Sequence, residues 1–125
     1  MPTFLRPDNK PMVQFDPLIE VSPFALFKRL KEGPAPLLVD VRSAPEGRTL
    51  DGAVAYPGES WEPPENTDTV LFDLDGTEAE PIVRRLQAAG HERLRMLFGG
   101  LELYEFALDP EVVGEQTFLA DFEDG

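Results

Sequence analysis

Short apolar runs that alternate with helical patterns constrain the fold of this chain more than any other feature of its sequence. Residues 37–41, 69–72 and 95–98 are brief and mostly apolar, as is typical of strands buried in a sheet. A helix is predicted to begin at Ser22 and Pro23, where a hydroxyl N-cap precedes a proline suited to the first turn. Alternating strands and helices indicate a parallel sheet whose crossovers place helices on its faces. The sequence therefore predicts an α/β fold with a five-stranded, mostly parallel sheet flanked by helices on both faces.

The remaining segments complete this fold. Two further strands are predicted at residues 12–15, on a sheet edge, and 53–56. Residues 43–52 are predicted to form a polar loop or a short, poor helix, and residues 110–120 a last helix. A length of 125 residues suits one domain. An N-terminal arm with its edge strand, a single folded domain and an acidic frayed tail are predicted over residues 1–17, 18–120 and 121–125.

Apolar residues at helical spacing indicate which helix faces meet the sheet. These positions are Phe24, Phe27 and Leu30; Ile82, Val83, Leu86 and Ala89; and Leu101, Tyr104, Phe106 and Leu108. Thr77 and Glu80 are predicted to form a capping box at the start of the second helix. Gly99 and Gly100 are predicted to allow a close backbone approach where a strand turns into a helix.

The charge and the missing residue types exclude several classes of function. The chain has no cysteine, one histidine and a formal charge of −13, so thiol chemistry and multi-histidine metal sites are excluded. The negative charge argues against nucleic acid and anionic membranes as partners. No Lys or Arg follows Arg95, and this acidic end is either a solvated surface or a dock for a basic protein surface. Residues 1–10 lack the apolar core of a secretory signal, and we expect a cytoplasmic protein.

Five short motifs follow one another along the chain. They are Ile19-Glu20-Val21-Ser22-Pro23, Leu38-Val39-Asp40-Val41-Arg42, Leu50-Asp51-Gly52-Ala53-Val54 followed by Pro57, Ala88-Ala89-Gly90-His91, and Leu97-Phe98-Gly99-Gly100-Leu101. In their order and spacing the chain resembles the rhodanese-like (sulfurtransferase-type) domain family over about residues 18–108. The resemblance implies a rhodanese-like fold and an ion pair between Asp40 and Arg42 beneath the family's active-site loop.

The position of the family's reactive cysteine is occupied by Asp73 in this alignment. The loop equivalent to the family active site is then Asp73, Leu74, Asp75, Gly76, Thr77, Glu78 and Ala79. The family passes sulfur through a persulfide on the cysteine, which a carboxylate cannot carry. The arginine usual near the loop's end is Glu78 here, and Thr49 stands where the family has a histidine. The resemblance therefore implies a pseudoenzyme without a catalytic residue or cofactor.

Electrostatics leads to the same expectation. A helix N-terminus stabilises an anion by up to about 2 kcal/mol, whereas one carboxylate about 5 Å away costs about 3 kcal/mol at an effective dielectric near 20. Three acidic side chains line this loop, so an anionic substrate such as thiosulfate is predicted to be repelled. The loop N–H groups are instead predicted to bind the carboxylate of Asp73. The chain is expected to act as a binding or regulatory module.

Two alternatives remain open at this point. The segment Phe72-Asp73-Leu74-Asp75-Gly76-Thr77 also resembles the first motif of haloacid dehalogenase-type phosphatases, which implies Mg²⁺-dependent phosphoryl transfer by Asp73 and Asp75. That family needs a downstream Lys and a Ser or Thr, but no lysine or serine follows Thr77. We expect no metal site, and the two aspartates are the weak candidates for one. The second alternative is a structural or dimerisation domain without a ligand, and the sequence leaves the oligomeric state open.

Overall fold

The computed structural model describes residues 16–121, which form an α/β fold. In chain order the elements are β1 (Glu20–Val21), α1 (Pro23–Glu32), β2 (Leu37–Asp40), β3 (Arg48–Leu50), β4 (Val54–Ala55), β5 (Thr69–Phe72), α2 (Ala79–Ala88), β6 (Leu94–Leu97), α3 (Gly100–Ala107), α4 (Pro110–Val113) and β7 (Leu119–Asp121). Among these elements, no helix is both long enough and apolar enough to cross a membrane.

The main sheet has five strands in the order β1-β6-β5-β2-β4, and each pairing between neighbours is parallel. The predicted α/β fold with a five-stranded parallel sheet is confirmed. Strand β5 lies at the centre and all four of its residues are buried. This topology is consistent with the rhodanese-like fold that the motifs imply.

Helices cover both faces of this sheet, and the side chains of β5 alternate between them. Leu71 packs in the core beneath α2, together with Val83 and Leu86. Val70 and Phe72 face the opposite core, which α1 and α3 cover. Because both faces are buried, the strand is apolar at every position after Thr69.

Helix α1 begins and ends where the sequence predicts. The hydroxyl of Ser22 accepts a hydrogen bond from the backbone N–H of Ala25 at 3.2 Å, and Gly33 ends the helix with a positive φ of 76°. The predicted burial of Phe24 is wrong, since this side chain is 61% exposed. Leu26 is fully buried instead, and a residue two positions away points about 200° around the helix.

Helix α3 repeats this difference. Leu101, Tyr104 and Leu108 are buried as predicted, but Phe106 is 85% exposed. Phe106 is two residues from the fully buried Tyr104 and therefore points away from the sheet. The exposed ring belongs to a groove described below.

The structure corrects two other predicted segments. Residues 48–50 form β3 instead of a loop or helix, and the last helix stops at Val113 instead of reaching residue 120. Gly114 adopts a left-handed conformation with φ 86°, which ends α4, and the chain then returns as β7. Strands β3 and β7 form a separate antiparallel pair in which Leu50 lies opposite Leu119.

The ends of the chain differ partly from the prediction. One edge strand of the main sheet is β1 (Glu20–Val21), a segment that was not expected to be a strand. The predicted strand at residues 12–15 lies outside the described residues. Strand β7 includes Asp121, the first residue of the predicted frayed tail; residues 122–125 lie outside the described part of the chain.

Candidate functional site

The loop between β5 and α2 closes around the side chain of Asp73, which is fully buried. Its Oδ1 accepts a hydrogen bond from the N–H of Gly76 at 2.6 Å. Its Oδ2 accepts from the N–H groups of Glu78 and Ala79 at 2.7 and 3.3 Å. The prediction that the carboxylate of Asp73 binds the loop's own N–H groups is confirmed.

Burial raises the pKa of Asp73 above its ordinary value, and the nearby charge of Asp75 adds to this effect. The N–H bonds from Glu78, Gly76 and Ala79 act in the opposite direction. Desolvation is the largest influence, so the fold holds the proton of Asp73 more tightly than an unfolded chain does.

Asp75 and Glu78 are engaged by neighbouring donors. Oδ1 of Asp75 accepts from the hydroxyl of Thr77 at 2.7 Å and from its N–H at 3.0 Å. These two bonds lower the pKa of Asp75. Oε1 of Glu78 accepts from the N–H of Ser43 at 3.1 Å and thereby connects the loop to the segment after β2. The loop is thus tied together at each acidic position.

The predicted capping box of Thr77 and Glu80 is wrong. Helix α2 has Glu78 at its N-cap position, in a helical conformation and without a side-chain cap. Asp73 takes that role from outside the helix, because its Oδ2 binds the first free N–H groups of α2. The side chain of Thr77 binds Asp75 instead.

Helix α3 holds the same loop from the other side. The N–H of Leu101 donates to the carbonyl of Asp73 at 2.8 Å, and the N–H of Glu102 donates to the carbonyl of Leu74 at 2.9 Å. Gly100 makes this approach possible, since a Cβ atom there would lie 2.5 Å from the carbonyl oxygen of Leu74. The predicted close backbone approach at Gly100 is confirmed. That the loop itself is the surface approached was not predicted, because it depends on a tertiary contact.

Asp40 and Arg42 form the predicted buried ion pair. Nη2 of Arg42 lies 2.7 Å from Oδ2 of Asp40, Nε lies 2.9 Å from Oδ1, and the two side chains are only 7% and 6% exposed. Asp40 also accepts a bond from the hydroxyl of Thr49 at 3.2 Å. Arg42 donates to the carbonyl of Glu46 at 2.9 Å. The pair therefore orders the segment between β2 and β3, beside the loop.

Two clefts flank the loop. The first, called here the mixed-charge cleft, has a volume of about 580 Å³ and is lined by Arg42, Ser43, Ala44, Glu46, Gly47, Arg48, Leu74, Glu78, Leu101 and Glu105. The second, called the acidic-rimmed groove, has a volume of about 710 Å³ and is lined by Glu20, Asp75, Gly76, Thr77, Glu80, Met96, Phe98, Gly99, Glu102, Leu103 and Phe106. The loop could be predicted from the sequence, but neither cleft could, since residues distant in sequence build both.

The two aspartates are poorly placed to bind a metal ion. Both oxygens of Asp73 are engaged by backbone N–H groups, and one oxygen of Asp75 is engaged by Thr77. Within residues 16–121, no group of three or more His, Asp or Glu side chains is arranged to hold a metal ion.

Comparison with known proteins supports the fold alone. The chain is similar to the crystal structure of the Alr3790 protein from Anabaena sp., with a TM-score of 0.60, 22% sequence identity and 82% of each chain covered. No protein-family profile matches the chain, and no curated protein matches it.

Proposed function

We propose that this chain is a catalytically inactive rhodanese-like domain that acts as a binding or regulatory module and transfers no sulfur. The ordered series of motifs and the parallel sheet support the family assignment. The observation that carries the function is the buried carboxylate of Asp73, which binds three of the loop's N–H donors. The family resemblance places Asp73 where the reactive cysteine would stand.

Sulfur transfer fails on this loop for two reasons. A carboxylate offers no sulfur on which a persulfide can form. The N–H groups that would stabilise an incoming anion are already bonded to Asp73. An anion that took them over would leave the buried carboxylate of Asp73 without its partners, which costs at least about 1–3 kcal/mol. An anionic donor would also approach Asp75, whose lowered pKa keeps it ionised at neutral pH.

The charge of the chain suggests the class of partner. The formal charge is −13, and carboxylates stand on both sides of the loop, with Glu78 and Glu105 in one cleft and Asp75 and Glu102 in the other. A basic protein surface gains from this field, while a polyanion is repelled. We therefore propose a basic protein as the partner.

Mg²⁺-dependent phosphoryl transfer is the competing proposal, and the geometry disfavours it. An aspartate nucleophile must reach the phosphorus atom, but Asp73 is fully buried and both its oxygens point into the loop. The reaction would require the loop to open and release the N-terminal N–H groups of α2.

The test compares sulfur transfer and phosphatase turnover in the same preparations. We expect no thiosulfate:cyanide turnover in the wild type or in Asp73→Cys, because Asp75 and Glu78 still repel the donor. A variant with Asp73→Cys, Asp75→Asn and Glu78→Gln is the matched control for repulsion. Robust turnover in Asp73→Cys alone would refute the repulsion argument. Turnover of a phosphate ester that requires Mg²⁺ and disappears in Asp73→Asn would replace this proposal with phosphoryl transfer.

A further inference from the structure

The acidic-rimmed groove combines an apolar floor with a negative rim. Met96, Phe98 and Leu103 provide the floor, Met96 being almost fully buried, and Phe106, which is 85% exposed, adds to the apolar lining. An exposed aromatic ring beside other apolar side chains is typical of an interaction site, whereas single exposed apolar residues are ordinary.

Four acidic residues line the groove beside this floor, the buried Glu20 and the more exposed Asp75, Glu80 and Glu102, and the lining contains no Lys, Arg or His. The ion pair of Arg84 with Glu80, at 3.0 Å, balances part of this charge. Burial raises the pKa of Glu20, and the charges of Glu80 and Asp16 raise it further despite the opposing N–H bond from Asp16. Among the described residues, Glu80 is the only one of these four carboxylates with a basic partner within ion-pair distance, so the lining carries net negative charge.

We infer that the acidic-rimmed groove is the docking site for a basic protein segment in which lysine or arginine side chains flank a large apolar residue. The apolar residue packs against Phe106 and Leu103, and the cations face Glu80, Glu102 and Asp75. Charge complementarity selects this occupant over an acidic or purely apolar one. The inference rests on the proposed binding function and names the place and chemistry of its partner.

The groove also differs from the mixed-charge cleft on the other side of the loop. In that cleft Arg48 pairs with Glu105 at 3.2 Å, so its lining contains positive as well as negative groups. A basic segment gains less there, because it meets Arg48 as well as the acids. Because of this contrast, mutations can distinguish binding in the acidic-rimmed groove from binding in the mixed-charge cleft.

The test uses the full chain and a fluorescent peptide of about twelve residues in which lysines flank tryptophan and leucine, the spacing being that of an amphipathic segment. Two control peptides replace the lysines by glutamates or the apolar residues by serines. Binding is followed by fluorescence anisotropy at low and physiological salt, and its position by amide chemical shifts of the labelled protein.

Two variants test the two parts of the site. Phe106→Ser removes the exposed apolar contact, and Glu80→Gln/Glu102→Gln removes two carboxylates of the rim at a half-buried and an exposed position. We expect each to weaken binding of the lysine peptide about tenfold, the range of a hot-spot contact, with little change in thermal stability. The matched controls are Val112→Ser, an 82% exposed apolar residue outside the groove, and Glu92→Gln/Glu111→Gln. The controls are expected to change affinity less than about twofold, since single exposed contacts contribute little.

Three outcomes would overturn the inference. The first is that the lysine peptide fails to bind. The second is that Glu92→Gln/Glu111→Gln weakens its binding as much as Glu80→Gln/Glu102→Gln does, which would mean that net charge alone attracts the peptide. A concentration-dependent dimer that Phe106→Ser abolishes would assign the groove to a second copy of the chain. If the peptide does not bind and the protein shows neither sulfur transfer nor phosphoryl transfer, only this inference is refuted. If either activity is measured, the proposed function itself is refuted.

Discussion

Gly100 packs against Leu74 so closely that a Cβ atom on Gly100 would lie 2.5 Å from the carbonyl carbon and oxygen of Leu74. This contact brings the first turn of α3 onto the loop that contains Asp73. The N–H groups of Leu101 and Glu102 in this turn then donate to the carbonyls of Asp73 and Leu74. The relationship explains why the loop is held from both sides.

Gly100→Ala should therefore destabilise the fold by about 3 kcal/mol. The left-handed backbone at φ 65° costs a residue with a Cβ atom about 1–2 kcal/mol, and the clash with Leu74 adds an overpacking cost of about 1–3 kcal/mol. Gly114→Ala is the matched control, because Gly114 has φ 86° and no atom within 4 Å of the added Cβ. Urea unfolding measures both. Equal losses in the two variants would contradict the packing argument.

Asp73→Asn should lower stability at neutral pH by about 1–3 kcal/mol, the usual cost of an unpaired buried polar group. The amide can accept at one position only, so its NH₂ group must face either the N–H of Gly76 or those of Glu78 and Ala79. Asp75→Asn changes an exposed aspartate in the same loop and is the control. Chemical denaturation at one pH compares them, and an unchanged midpoint in Asp73→Asn would show that the carboxylate is not needed.

The raised pKa of Asp73 predicts how its contribution depends on pH. Its pKa is higher in the folded than in the unfolded chain, so the stabilisation is fully present below the ordinary value of 3.8 and is lost as pH rises through the folded pKa. The free energy of unfolding of the wild type minus that of Asp73→Asn should therefore fall as the pH rises. This difference cancels the contribution of Glu20 to the pH dependence, because the raised pKa of Glu20 acts in the same direction in both proteins. A difference that rises with pH would contradict the assigned direction.

Removing one partner of the buried pair should be more damaging than removing both. Arg42→Met leaves the carboxylate of Asp40 buried without its main partner, and breaking such a pair costs about 3–5 kcal/mol. The double variant Asp40→Asn/Arg42→Met should recover part of this loss, because no uncompensated charge remains. Thermal unfolding of the two variants and of Asp40→Asn completes the double-mutant cycle. Additive losses would show that the two side chains act independently.

Thr117→Val should raise stability by up to about 1 kcal/mol. The side chain of Thr117 is fully buried, and within residues 16–121 its hydroxyl has no hydrogen-bond partner, so an apolar group of the same shape removes a desolvation cost. The carbonyl of Thr117 accepts a bond from the hydroxyl of Tyr104 and is unaffected. Thr117→Ser keeps the hydroxyl and should not stabilise. A lower melting temperature for Thr117→Val than for the wild type would show that the hydroxyl is bonded.

The central strands could be predicted from the sequence because burial leaves a direct signal. All residues of β5 are buried on one face or the other, so the run is apolar without alternation. Strands β1, β3 and β7 have two or three residues each, and β3 pairs with β7 across a long separation in sequence. Their pairing is a tertiary effect that a local pattern does not contain.

The candidate site was predictable to the same degree. A strand end, a helix start and the acidic residue Asp73 are local features. Together with the family resemblance, which placed Asp73 at the start of the loop, they predicted that its carboxylate binds the loop N–H groups. The contact of Gly100 with Leu74 and the burial of Leu26 instead of Phe24 depend on how α3 and α1 are rotated against the sheet. Periodicity gives the width of an apolar face but fixes its centre only within about one residue, or 100° of rotation.

The loop from Asp73 to Ala79 is a shared wall between the mixed-charge cleft and the acidic-rimmed groove, since Leu74 and Glu78 face the first while Asp75 and Thr77 face the second. A molecule that displaces this wall from one side changes the shape of the other side. By thermodynamic reciprocity, two such occupants alter each other's affinity by the same factor. The loop between β5 and α2 would in that case couple the two clefts.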